Sequence, residues 1–284
     1  MAFPLPKSLT PSKVASFKDC ALAFRFSAID RLPEPASAAA LKGTLVHTVL
    51  ERLFWELDAG KRTLESALRF LDQEAAKLLV GDEWLSLEVE DAFAEKFKTE
   101  ADKLVRNYFQ LEDPNAVKVA GTELMLETKT GSLTLRGIID RLDLDQDGNL
   151  IVVDYKTGRA PGANFEYGKL GGVQFYAFLC EQVLGRRPVA VKLLYLQEPM
   201  SISTVPSEQS IKGLQVKTSA IWNAVEKACD REDFRPNPGK LCNWCSFQDF
   251  CPAKGGTLPV SAACGTLPAS AASGSHSIAL QPAG

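Results

Sequence analysis

The sequence predicts an α/β protein, a mixed sheet flanked by helices behind a helical front section. Three observations predict it. Apolar residues recur at helical spacing through the first third of the chain. The middle then turns to β-branched runs divided by turn signals. Helical spacing returns afterwards, before two further β-branched runs, which is the alternation of a layered α/β domain.

The elements follow in order. Thr10-Pro11 is a helix start, a capping hydroxyl followed by proline at the first helical position. LKGTLVHTVLERLFWEL sets Leu45, Val49, Leu50, Leu53, Phe54 and Leu57 at helical spacing, and two more helices are expected over 63–80 and 88–111. VKVAGTELMLET, GSLTLRGIIDRLDL and NLIVVDYKT read as three strands joined by hairpins at Thr130-Gly131 and Asp147-Gly148. GGVQFYAFLCEQVL is helical again, VAVKLLYLQ and MSISTV are strands, and a last helix over 208–230 leads into a cysteine-rich segment. Residues 1–254 form the expected domain. Residues 255–284 are expected to be a disordered tail, rich in Gly, Ser, Ala and Pro and carrying the paired units GTLPVSAAC and GTLPASAAS.

The chain has 284 residues, 45% hydrophobic and 24% charged, which is ordinary for a globular protein. No stretch resembles a secretion signal or is apolar enough to span a bilayer, so a cytoplasmic location is expected. The net charge of −3 argues against a non-specific nucleic-acid coat. A local site that holds metal ions with carboxylates would lower the net charge in the same way.

In NLIVVDYKTG, residues two apart on a strand face the same side, so Asp154 and Lys156 project together, away from Val153 and Tyr155. Both follow a buried apolar run, where a charge is costly without a task or a partner. Asp140 ends a similar run, LRGIID, and a hairpin through DQDGN brings it near Asp154. Two carboxylates and a lysine suit metal-assisted phosphodiester hydrolysis: the acids hold Mg²⁺ or Mn²⁺, and the ammonium offsets transition-state charge. The alternative is a structural Asp–Lys pair on a sheet surface. Asp143, Asp145, Asp147 and Gly148 also match the start of an EF-hand loop, but strands flank it, and an acidic hairpin turn explains it more simply.

Of seven cysteines, Cys242, Cys245 and Cys251 lie within ten residues, beside Pro236, Pro238 and Gly239. Three clustered thiols point to zinc or an iron–sulfur cluster, and a fourth soft ligand is needed. The odd count argues against a disulfide framework. Cys180 and Cys229 sit in helical patterns as buried thiols, and Cys264 belongs to the tail.

GIID followed fourteen residues later by DYK, with GTLVHTVLE upstream, resembles the RecB branch of the PD-(D/E)xK nucleases. The resemblance covers about residues 8 to 254. It implies a restriction-endonuclease-like core with His47, Asp140 and Asp154 as metal ligands, Lys156 as the catalytic cation and Glu51 supporting His47. It implies a [4Fe–4S] cluster on Cys20, Cys242, Cys245 and Cys251, as in AddB-type and CRISPR-associated members, with zinc as the alternative. Tyr176 fits the tyrosine of the branch's Q-x-x-x-Y helix, but Gly172 stands where the glutamine belongs, and Gln174 is the nearest glutamine. Arg141, Gln174 and Tyr176 are the expected DNA contacts. The implied activity is a DNA exonuclease acting on single-stranded ends in repair or recombination. The alternatives are CRISPR spacer acquisition and a non-catalytic DNA-binding subunit of a helicase–nuclease assembly. No G-x-x-x-x-G-K-[ST] loop occurs, so a helicase motor would be a separate protein.

Overall fold

The structure, a computed structural model, describes residues 3–160, 162 and 166–259, with backbone alone at 166–171. The tail beyond residue 259, including Cys264 and most of the segment expected to be disordered, lies outside the described residues.

The front section begins with α1 (Pro11–Asp19), capped by the Thr10 hydroxyl as its sequence predicts, and continues through α2 (Ala21–Phe24) into a π-turn over Arg25–Ile29. Then come α3 (Ala38–Trp55), α4 (Leu64–Leu78), the short α5 (Asp82–Leu85) and α6 (Asp91–Leu111). Ser37 and Thr63 cap α3 and α4 through their side chains, satisfying N–H groups that no helical carbonyl can reach.

Five strands follow, interrupted by one long helix: β1 (Lys118–Thr130), β2 (Leu133–Leu144), β3 (Leu150–Lys156), α7 (Glu166–Leu184), β4 (Ala190–Tyr195) and β5 (Met200–Thr204). They form one sheet in sequence order. Every neighbouring pair is antiparallel except β3–β4, which is parallel because α7 carries the chain back across the sheet. α8 (Glu208–Arg231) closes the domain from a Ser207 capping box. Three short 3₁₀ turns between Lys240 and Lys254 make up the cysteine-rich end.

Period-two alternation divides the sheet between two cores. Leu150 and Val152 of β3 pack with Val191 and Leu193 of β4 against α7 and α8. Val153 and Tyr155 pack with Leu194 and Leu196 against α3, α4 and α6. The N-terminal segment adds to the hairpin edge: Leu9 N–H donates to the Thr134 carbonyl at 2.8 Å, and Arg136 N–H to the Leu9 carbonyl at 2.9 Å. No helix among the described residues is long and apolar enough to cross a membrane.

Candidate functional site

Register brings three acids onto one rung of the sheet. Arg141 pairs with Val153, which places Asp140 across from Asp154 on the next rung. Thr122 pairs with Arg141 and Leu124 with Ile139, which places Glu123 across from Asp140. Glu123 adopts the left-handed conformation with φ 45°, which a non-glycine residue seldom occupies unless its surroundings hold it there. Alternation reverses at the same rung. Ile139 belongs to the α7–α8 core, yet Arg141, two residues on, lies in the opposite core over the Phe54 ring of α3.

That reversal overturns the expectation that Arg141 holds a phosphate. Its side chain is 0% exposed. The guanidinium donates both Nε and Nη2 to Asp143 at 2.9 Å, and Nη1 to Glu112 at 2.6 Å and to the Tyr155 hydroxyl at 2.8 Å. It is a core anchor, and Tyr155 is what it anchors. The Tyr155 backbone in turn serves the site from both sides of one residue. Its N–H donates to Asp140 Oδ2 at 2.7 Å, and its carbonyl accepts from His47 Nε2 at 3.2 Å.

A carbonyl can only accept, so that contact puts the His47 proton on Nε2 and leaves Nδ1 with its lone pair. Nδ1 lies 3.6 Å from Asp140 Oδ2. Gly43, one turn earlier on α3, lets the helix come this close, since a Cβ there would meet the Thr157 hydroxyl at 3.2 Å. His47, Glu123 and Asp140 bring ligand atoms within 4.8 Å of one another, the one such His/Cys/Asp/Glu group among the described residues. Burial pushes the Glu123 carboxyl up to about 7, with the Asp140 charge as the next cause. Burial and the neighbouring Asp154 raise Asp140 as well, while burial lowers His47. Neutral imidazole and crowded acids that resist ionising together are what a cation would relieve. The donor set, one imidazole nitrogen with carboxylate oxygens, fits a small divalent ion.

Asp154 turns from this group to an ion pair with Lys156, whose side chain is 44% exposed, and burial together with the nearby Asp154 and Asp140 charges raises the Tyr176 hydroxyl. Asp154 and Lys156 thus share a side as period two requires, and Tyr176 faces the site from α7. Gly137 makes room for it, because a Cβ there would come within 2.9 Å of Leu179 and 3.2 Å of the Tyr176 ring. Gln174 departs from expectation. Two residues from Tyr176 is a turn of about 200° around the helix. It lines a separate groove with Pro11 and Lys18 of α1 and Lys217 of α8. Glu51 lies within electrostatic reach of Glu123.

The sequence reading missed Glu123. The signal was available: counting rungs back from the Thr130-Gly131 turn sets residue 123 opposite residue 140. The calcium-loop alternative dissolves in the structure. Asp143 is committed to Arg141, and Asp145 accepts from Asn149 N–H at 2.7 Å inside the hairpin turn, with Gly148 at φ 78°.

Cys20, Cys242, Cys245 and Cys251 line one cavity of about 270 Å³ where the front of the chain meets its cysteine-rich end. Asn237 N–H points at Cys20 Sγ at 3.5 Å and Gly239 N–H at Cys242 Sγ at 3.3 Å. No three of the four sulfurs draw within 4.8 Å of one another. Cys180 and Cys229 are buried apart from this cavity, and burial pushes both thiols up.

Among solved structures, the chain is similar to a protein from Eubacterium rectale titled "Putative exonuclease", with TM-score 0.51 and 10% identity over 84% of this chain and 87% of that one. A second structure, SSO0001, aligns at TM-score 0.41 and 13% identity over 88% of each chain. The first likeness speaks for the fold alone. No curated protein matches the chain. Residues 8–252, which include β1 to β5 and the four cysteines that line the cavity, match the PD-(D/E)XK nuclease superfamily model. With its acids, lysine and helical histidine in that frame, the chain belongs to the PD-(D/E)XK nuclease superfamily, whose members are metal-dependent phosphodiester hydrolases.

Proposed function

We propose that this chain is a Mg²⁺- or Mn²⁺-dependent deoxyribonuclease that degrades single-stranded DNA ends in repair or recombination, alongside a separate helicase or recombination protein. The observation that carries the nuclease reading is the rung Glu123–Asp140–Asp154, bracketed by His47 on one side and Lys156 on the other. His47, Glu123 and Asp140 would hold the cation, with Asp154 beside them. The cation supplies Lewis acidity at the phosphate and a lower pKa for the attacking water. Asp140 and Glu123 give up protons as the site loads, since both carboxyls are raised in its absence. Lys156, partly exposed at the strand end, offers the ammonium that offsets charge building on the phosphate oxygens. Tyr176, within electrostatic reach of Asp154 and Asp140, borders the site from α7.

We also infer that the four-cysteine cavity holds a [4Fe–4S] cluster. Soft sulfur donors with backbone N–H groups aimed at two of them support that donor set.

The test is incubation of the pure chain with labelled single-stranded and duplex DNA, in Mn²⁺ and in EDTA. Single strands should shorten in Mn²⁺ alone, and Lys156→Ala should abolish this while retaining DNA and Mn²⁺ binding. Wild-type rates from Lys156→Ala would overturn the assignment. A chain that binds DNA and never cuts it would favour the non-catalytic subunit.

A further inference from the structure

The outer half of the β1–β2 hairpin has one face exposed at Met125, Glu127, Arg136 and Ile138. Leu126, Leu133, Leu135 and Ile139 turn into the α7–α8 core. The residues between them turn the other way, into solvent. On such a face polar side chains are the norm, because water satisfies them and nothing rewards an apolar group. Met125 and Ile138 break that norm together. They are direct cross-strand partners, 39% and 45% exposed. They form one apolar rung, two residues along the strands from Glu123 and Asp140.

Beyond that rung the surface becomes basic. Arg136, exposed, is the next residue on this face of β2. Lys13 is tethered beside it, its ammonium donating to the Ser8 carbonyl at 3.1 Å, while the adjoining Leu9 is bonded to Arg136 N–H. Arg31 completes the group from a left-handed backbone position with φ 54°. Both arginines lie within electrostatic reach of Lys13. Burial lowers the Lys13 ammonium first, and Arg31 and Arg136 lower it further. The cross-strand partner of Arg136 is Glu127, also exposed. Like charges gathered on one surface are complementary to a polyanion.

We propose that this outer hairpin face is the track on which a single DNA strand lies as it leaves the metal site, one base resting on Met125–Ile138 and the phosphates beyond it meeting Arg136, Lys13 and Arg31. The proposal rests on the nuclease reading above and adds the path of the substrate. Its spacing is set by the strand: Ile138 lies about 7 Å and Arg136 about 13 Å from Asp140 along β2, at the rise of an extended chain. An apolar rung suits a base face of any identity, and basic groups suit the backbone, so the track is indifferent to sequence and prefers unpaired bases.

The test is fluorescence anisotropy of a labelled oligothymidylate in EDTA, with Mn²⁺ binding measured separately by calorimetry. Met125→Ser with Ile138→Ser should weaken binding of the single strand by about fivefold or more, the loss of one stacked base. Arg136→Gln should also weaken it, and should reduce the slope of log affinity against log salt by about 0.7. Mn²⁺ affinity should be unchanged in both, and Val216→Ser, which removes an exposed apolar residue from α8, should bind DNA as wild type does. Wild-type affinity and salt slope in both track variants would overturn the track, and would leave the exposed rung to a protein partner. Equal losses on blunt duplex would overturn its preference for single strands. A wild-type chain that binds the oligonucleotide through this face yet never cleaves it would sink the nuclease reading while the track stood.

Discussion

Replacing Arg141 by methionine would keep a long side chain in the core while deleting the guanidinium shared by Asp143 and Glu112. Asp143 is left with a side chain 8% exposed and Glu112 with one 16% exposed, so neither can recover full hydration. Two more hydroxyls, of Tyr108 and Tyr155, lose a charged donor. Removing one partner from a buried ion pair typically costs about 3–5 kcal/mol, because a desolvated charge remains. Against the roughly 5–15 kcal/mol that holds a domain together, Arg141→Met should lower the urea midpoint severely, with the slope of the transition unchanged. A milder variant guards against outright unfolding. Tyr155→Phe deletes one hydroxyl on the guanidinium and should cost about 1.5–3 kcal/mol. Because the Tyr155 backbone holds both Asp140 and His47, Mn²⁺ affinity should fall along with stability, by about tenfold or more. Calorimetric Mn²⁺ titration and urea melts of both variants decide the matter. Stability within about 1 kcal/mol of wild type, combined with weakened DNA binding, would refute the anchor and restore Arg141 as a phosphate contact.

Three further predictions rest on other parts of the molecule. The Glu123 carboxyl is raised from 4.5 to about 7 in the fold, so its contribution to metal-free stability is present below pH 4.5 and lost as pH rises through about 7. In EDTA, Glu123→Gln should therefore raise the melting temperature more at pH 8 than at pH 5, and equal effects at both would remove Glu123 from the acidic rung. Gly137→Ala drives a Cβ to 2.9 Å from Leu179 and 3.2 Å from Tyr176, so thermal melts should show a loss of about 1–3 kcal/mol, and cleavage should slow as Tyr176 shifts; an unchanged melt would show that α7 yields freely. Cys20 lies 222 residues before Cys242, and a cluster spanning them closes nearly the whole domain into a loop, so Cys20→Ala should cost about 4–5 kcal/mol and empty the site of iron as fully as Cys245→Ala does, whereas Cys180→Ala should leave iron content alone.

Much of the site was written locally in the chain. Asp140 and Asp154 each end an apolar run, and the two-residue period sets Lys156 beside Asp154; both features survive in the structure because a strand's own geometry enforces them. The helices likewise begin where Thr10, Ser37 and Thr63 can cap them. What depends on distant contacts was not legible this way. Glu123 joins the site only through the register of β1 on β2 and a left-handed kink that no propensity announces. The same rung reverses the alternation of β2 and sends Arg141 into the core, where strand periodicity alone could not place it. Gln174 and Tyr176 look adjacent in sequence, yet the helical turn gives them opposite neighbours, α1 and α8 for one and the acidic rung for the other. The exposed Met125–Ile138 rung is invisible to hydropathy, because only the packing of α7 and α8 decides which face of the hairpin is covered. Local spacing determined which chemistry the chain carries; the pairing of strands far apart in sequence decided which side chains meet to perform it.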